Sequence, residues 1–84
     1  RFYDGTGEHL RETPLSQDQQ VEAVSEQAGA LNISATVADT PQFKWWLLGF
    51  GDGVEVLAPE TLRHSLSETV GKMASRYAPT APIN

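Results

Sequence analysis

The 84-residue sequence contains no cysteine, and this absence excludes disulfides, thiolate metal sites and a catalytic thiol. It has no apolar run near the roughly 20 residues needed to span a bilayer, and no charged-then-apolar signal segment at its start. Basic residues are few: six Lys and Arg against eleven Asp and Glu give a formal net charge of -5. Because phosphate recognition rests on clustered Lys and Arg, we expect no direct contact with nucleic acid or membrane, and predict a soluble, cytoplasmic domain.

The two ends of the sequence indicate a piece of a longer protein. It opens with Arg1-Phe2-Tyr3 and no initiator Met, which is typical of the end of a strand. Residues 78–84 are predicted to be a disordered tail, as chain ends usually are. We therefore expect one small domain over residues 1–77, preceded by further protein upstream.

The first half of the sequence predicts a strand, a short helix and a hairpin. A strand at residues 1–3 precedes a helix that Asp4 or Thr6 would cap and that ends near Glu12. Two further strands are predicted at residues 19–26 and 30–38. The second of these alternates apolar with polar residues, its apolar positions being Leu31, Ile33, Ala35 and Val37.

A sharp hairpin turn is predicted between those two strands, because Gly29 is free to take a positive φ. A longer helix should follow, started by Asp39-Thr40-Pro41-Gln42, in which Gln42 completes a capping box if Asp39 is the cap. Its apolar face is formed by Phe43, Trp46, Leu47 and Phe50. We expect Trp46 in the core, whereas Trp45, about 100° away around the helix, should stay partly exposed.

The glycine-rich residues 49–53 follow this helix and precede a short strand. A nucleotide-binding loop has the opposite orientation, since it follows a strand and opens a helix. We therefore interpret Gly49, Gly51 and Gly53 as a structural turn, with Gly49 or Gly51 ending the helix in a left-handed conformation.

The last part of the sequence predicts a strand at residues 54–57 and a final helix opened by Pro59. The helix carries one apolar stripe, formed by Leu62, Leu66, Val70, Met73 and Tyr77. The complete order predicts an α+β fold, a two-layer ferredoxin-like β-α-β-β-α-β sandwich with an added C-terminal helix.

No catalytic, metal or cofactor site is expected from the residues. His9 and His64 fall on different predicted helices, and neither has a metal-ligand partner nearby in sequence. The serines lack a nucleophile-elbow context and a paired base. We therefore predict a protein that is not an enzyme.

One segment resembles a known family: Trp-Trp-Leu-Leu-Gly-Phe-Gly-Asp-Gly-Val-Glu-Val-Leu-Ala-Pro-Glu-Thr-Leu-Arg, residues 45–63. It is similar to the C-terminal extension (WCX) domain of bacterial WYL-domain transcriptional regulators. The likeness covers roughly residues 2–77, through weaker matches at residues 9–12, 14–16 and 35–40. Trp45-Trp46-Leu47 is not the Trp-Tyr-Leu motif that names the WYL domain, so the effector-binding residues of that domain have no counterparts here.

The resemblance implies a non-enzymatic regulatory domain that mediates dimerisation, relay of the effector state, or both. Its implied partners are its own upstream WYL domain and a second subunit in a homodimer. DNA would be contacted only through a separate helix-turn-helix domain. We predict Trp45, Phe50 and Arg63 as interface residues, together with the outer face of the last helix.

An alternative function stays open at this point. A ferredoxin-like domain can also sense a small molecule, such as a nucleotide or a metabolite. In that case Gly51, Asp52 and Gly53 would supply backbone contacts to the ligand.

Overall fold

The computed structural model describes residues 1–78 of the chain. Of the predicted tail, only Ala78 falls within this range, and residues 79–84 lie outside the described residues. The described part is an α+β structure with a two-stranded antiparallel sheet, two α-helices and two short 3-10 helices.

The sheet is a hairpin of β1 (Gln20–Ala23) and β2 (Leu31–Ser34), paired antiparallel with Val21 opposite Ile33. Gly29 lies in the turn with φ of +81°, so the predicted hairpin and its glycine are confirmed. Both strands are shorter than predicted. After Ser34 the chain leaves the ladder, because the backbone N–H of Thr36 donates to the Asp18 carboxylate at 3.0 Å instead.

Phe2 extends the sheet beyond β2. It forms one antiparallel bridge with Leu31 and another with Val54. The lateral order is therefore β1, β2, the N-terminal segment and the segment that begins at Val54. The strands predicted at residues 1–3 and 54–57 are present only as these single bridges.

The helix predicted between residue 4 and Glu12 is a 3-10 helix of one turn, Glu8–Arg11, and no side chain caps it. The chain turns earlier, because Asp4 has a φ of +54°. The Thr6 hydroxyl donates to the carbonyls of Tyr3 and Gly53, at 2.8 and 3.0 Å. The prediction that Asp4 or Thr6 caps a helix is therefore wrong.

The first α-helix, α1 (Pro41–Leu48), is capped by Thr40, whose Oγ1 accepts from the Phe43 N–H at 3.1 Å. The cap is therefore Thr40 and not Asp39, so the condition for a capping box with Gln42 is not met. Because a residue before proline avoids helical backbone, Thr40 has the extended conformation that a cap residue needs.

The core is small. Its buried apolar residues come from the N-terminal segment, the first 3-10 helix, the hairpin and α1, namely Phe2, Leu10, Ala30, Leu31 and Leu47. The second helix, α2 (Glu60–Tyr77), is the longest element but has no buried residue. Its apolar stripe is therefore left largely uncovered by the described part of the chain.

Candidate interaction surface

The N-terminal half of α2 is attached to the rest of the domain by polar contacts. An Arg63 guanidinium nitrogen donates to Glu55 Oε2 at 3.0 Å and to the Val56 carbonyl at 2.7 Å. Lys44 Nζ, on α1, donates to Ser65 Oγ at 2.8 Å. These contacts fix where α2 starts and the direction in which it leaves the sheet.

Glu55 is the central acceptor of that attachment. It also accepts a hydrogen bond from the Tyr3 hydroxyl at 2.5 Å. The Tyr3 bond, followed by the bond from Arg63, lowers the pKa of Glu55, and the same contact raises the pKa of Tyr3. Glu55 is therefore ionised at neutral pH and joins the N-terminal segment to α2.

The C-terminal half of α2 carries large apolar side chains that are exposed. Val70, Met73 and Tyr77 are 51%, 45% and 86% exposed, and their spacing places them on one helical face. We call these three residues the α2 stripe. Single exposed apolar residues are normal, whereas a contiguous set of them is a candidate for an interaction surface.

Residues 45 and 46 have different surroundings on α1. Trp45 is 65% exposed, as its helical phase predicts. Trp46 packs its ring against Phe43 and Phe50, with ring centroids 5.7 and 4.8 Å apart, yet it stays 36% exposed. The buried residue of this helical face is Leu47, so the expectation of a core Trp46 is wrong.

The other two predicted interface residues contact their own chain. Phe50 is half-buried, and its ring lies edge-on to Phe2 at 5.3 Å and stacks on His9 at 6.2 Å. Arg63 binds the two acceptors described above. Of the three predicted residues, Trp45 is therefore the one whose side chain is mainly open to solvent.

The residues of the α2 stripe were predicted as part of a continuous apolar face, and an interface was predicted on the outer face of the same helix. The length of the helix is the feature of the sequence that could have indicated that part of this apolar face stays exposed. An 18-residue helix is about 27 Å long, which is more than a sheet of two four-residue strands can cover.

The glycine-rich turn at residues 49–53 makes backbone hydrogen bonds within the domain. Gly49 has right-handed backbone, whereas Gly51 has φ of +60°. The Gly53 carbonyl accepts from the Tyr3 N–H at 2.8 Å, and its N–H donates to the Phe50 carbonyl at 3.0 Å. The backbone groups of Gly53 thus already have partners, which disfavours a ligand bound there.

Two negative findings apply to residues 1–78. They contain no group of three or more His, Asp or Glu side chains placed to hold a metal ion. None of the helices in this range combines the length and apolar character required to cross a membrane.

A family model described as the WCX domain matches residues 1–74. The chain belongs to the WCX domain family. WCX is a regulatory type of domain and not a known enzyme family. No curated protein and no solved structure matches the sequence. The matched range includes both strands, α1 and most of α2. Two of the three residues of the α2 stripe, Val70 and Met73, therefore lie within the range that the family model matches.

Proposed function

We propose that this WCX domain is the non-enzymatic C-terminal regulatory domain of a bacterial transcriptional regulator and acts through protein–protein contact. The observation that carries the proposal is the α2 stripe. Val70, Met73 and Tyr77 are at least 45% exposed on one face of a helix with no buried residue.

Burial of the α2 stripe against a partner would be energetically favourable. Full burial of one large apolar side chain contributes about 1.5–3 kcal/mol, and the stripe offers three. A chain of this size buries only about 60% of its unfolded surface, so area buried against a partner adds usefully to stability.

The partners we propose are a second copy of the chain and the WYL domain that precedes it in a longer regulator. A net charge of -5 disfavours contact with DNA phosphates, so DNA binding belongs to a separate helix-turn-helix domain. A partner seated on α2 would act on the Arg63–Glu55 contact, and through Glu55 on Tyr3. This gives a physical route by which the effector state could be relayed.

A ferredoxin-like arrangement is part of the same proposal. It is supported by the antiparallel bridges from Phe2 to Leu31 and Val54. They place the N-terminal segment between β2 and the segment at Val54, as the split β-α-β connection requires.

Light scattering after size exclusion tests the proposal. We expect the mass to rise above that of the 9.2 kDa monomer as concentration increases. A parallel titration measures binding to the WYL domain of a longer regulator. A monomeric mass at all concentrations, together with no binding to the WYL domain, would contradict the proposed function.

A further inference from the structure

The outer side of α1 carries both tryptophans of the chain. Trp45 is mainly exposed and Trp46 is partly exposed. Gln42 and Gly49, which are also exposed, lie between the two tryptophans around the helix, because each is three residues from one of them and four from the other. We call these four residues the α1 face. It contains no residue of the α2 stripe.

The α1 face has the form of a notch between two indole rings. Because helical side chains lean towards the N-terminus of their helix, both rings flank the side chain of Gln42. The opposite end of the notch is open at Gly49. Apart from its two chain neighbours, a Cβ atom placed there would meet, among residues 1–78, only the carbonyl oxygens of Trp45 and Trp46 within 4 Å.

One of the two rings is held in place by the domain itself. In addition to its contacts with Phe43 and Phe50, the Trp46 ring lies 6.4 Å from the Phe2 ring, centroid to centroid. A partner that packs on it therefore loses little free energy in ordering this side chain. The indole N–H groups and the Gln42 amide are hydrogen-bond donors. Aromatic-lined surfaces are what proline-rich extended segments dock against.

The sequence contains a segment with that chemistry, Pro79-Thr80-Ala81-Pro82. In the polyproline II conformation, with three residues per turn, two prolines at this spacing lie on one edge, about 9 Å apart. Ala78, the residue before Pro79, has this backbone conformation, with φ of -63° and ψ of 135°. Residues 78–83 carry no charged side chain, so the net charge of the chain does not oppose the contact.

The distance along α2 favours a contact between two copies. Lys44 of α1 bonds to Ser65, so the α1 face lies at the level of the N-terminal half of α2. Tyr77 follows Ser65 by 12 residues, or about 18 Å along the helix. Pro79 follows Tyr77 by two residues, which span at most about 7 Å. Pro79 therefore does not reach the α1 face of its own chain.

We propose that the α1 face binds the Pro79–Pro82 segment of a second copy of this chain. The two proline rings pack on the indole rings of Trp45 and Trp46, and the Gln42 amide and the indole N–H groups donate to carbonyl groups of the segment. This contact uses neither Met73 nor the rest of the α2 stripe. It can therefore fail while the proposed function holds, and the reverse is also true.

Nuclear magnetic resonance of the indole N–H groups tests the proposal, because the chain has two tryptophans and therefore two such signals. The full chain with both Pro79→Ala and Pro82→Ala is titrated with the peptide Ala-Pro-Thr-Ala-Pro-Ile-Asn, which is residues 78–84. The control peptide, Ala-Ala-Thr-Ala-Ala-Ile-Asn, has both prolines replaced.

We expect the first peptide to shift both indole signals in a saturable way and the control peptide to shift neither. Trp45→Ala, added to the titrated chain, should weaken binding at least about tenfold, as loss of a central aromatic contact does. Tyr77→Ala is the matched control. It removes another exposed aromatic side chain, one that belongs to the α2 stripe, and should leave peptide binding unchanged.

Several outcomes would overturn the proposal. They are the absence of a shift at peptide concentrations up to about 1 mM, equal binding of the control peptide, and equal weakening by Trp45→Ala and Tyr77→Ala. The parent chain gives the last test. With rising protein concentration its indole signals should move towards their peptide-bound positions. Signals at those positions at every concentration would show that the segment binds its own chain, which would overturn the assignment to a second copy.

Discussion

Gly7 packs directly against Phe2, since a Cβ atom on Gly7 would lie 2.7 Å from the Phe2 Cβ. The same atom would lie 3.3 Å from the Ile33 Cδ1. Phe2 is 4% exposed and makes both bridges that extend the sheet. The close approach of the first 3-10 helix to this strand position therefore depends on a residue without a side chain.

Replacement of Gly7 by alanine tests this relationship. We expect Gly7→Ala to lower the free energy of unfolding by about 1–3 kcal/mol, because the added methyl overpacks a buried contact. Gly71→Ala is the matched control, since a Cβ there meets no atom within 4 Å and should stabilise α2 by about 0.5–1 kcal/mol. Urea denaturation measures both, and effects of the same sign would contradict the packing described.

The cap of α1 gives a second prediction. Thr40→Ala removes the hydroxyl that accepts from the Phe43 N–H and should cost about 1 kcal/mol of stability. Asp39→Ala leaves that bond in place and should change stability by less than about 0.5 kcal/mol. Thermal or urea unfolding measures the stability of both variants. A larger loss of stability for Asp39→Ala than for Thr40→Ala would show that Asp39 is the cap.

Asp18 gives a prediction about pH. Hydrogen bonds from the Ser16 hydroxyl and then from Thr36 lower the pKa of Asp18 to about 2, against about 3.9 in an unfolded chain. Because the folded-state pKa is the lower one, this stabilisation is complete above about pH 4 and is lost as the pH falls towards 2.

Asp18→Asn should therefore be less stable than the parent at pH 7, and the difference should disappear between about pH 4 and pH 2. Urea unfolding at a series of pH values measures it. Glu22→Gln, at an exposed position of β1, is the control. A difference between Asp18→Asn and the parent that stays constant across this range would show that the carboxylate charge is not responsible.

Local signals in the sequence predicted several elements correctly. The alternation of apolar and polar residues around Leu31 predicts β2, and Gly29 predicts the hairpin turn. Both elements could be predicted because each depends on residues that are close together in the chain. The period of the apolar residues predicts α1 and α2, although α1 ends at Leu48.

Long-range contacts decide the features that the sequence did not predict. The Thr6 hydroxyl bonds to Gly53, 47 residues away, instead of capping a helix. Arg63 likewise bonds to Glu55 and Val56, which its place on a helix face does not indicate. The exposure of Met73 depends on how much of α2 the rest of the domain covers, and local sequence patterns do not predict that extent.

A protein-binding surface on the α2 stripe should be sensitive to a buried charge, and paired variants of α2 measure that sensitivity. Met73→Glu places a charge in the stripe, whereas Ser75→Glu adds the same charge to an exposed position about 160° around the helix from Met73. Both should fold with the helix content of the parent.

Sedimentation equilibrium of the parent and the two variants is the decisive measurement. We expect the parent and Ser75→Glu to self-associate with similar dissociation constants. Met73→Glu should weaken association at least about tenfold, because a charge would be buried in the interface. Equal self-association of Met73→Glu and Ser75→Glu would contradict the assignment of the interface to this stripe.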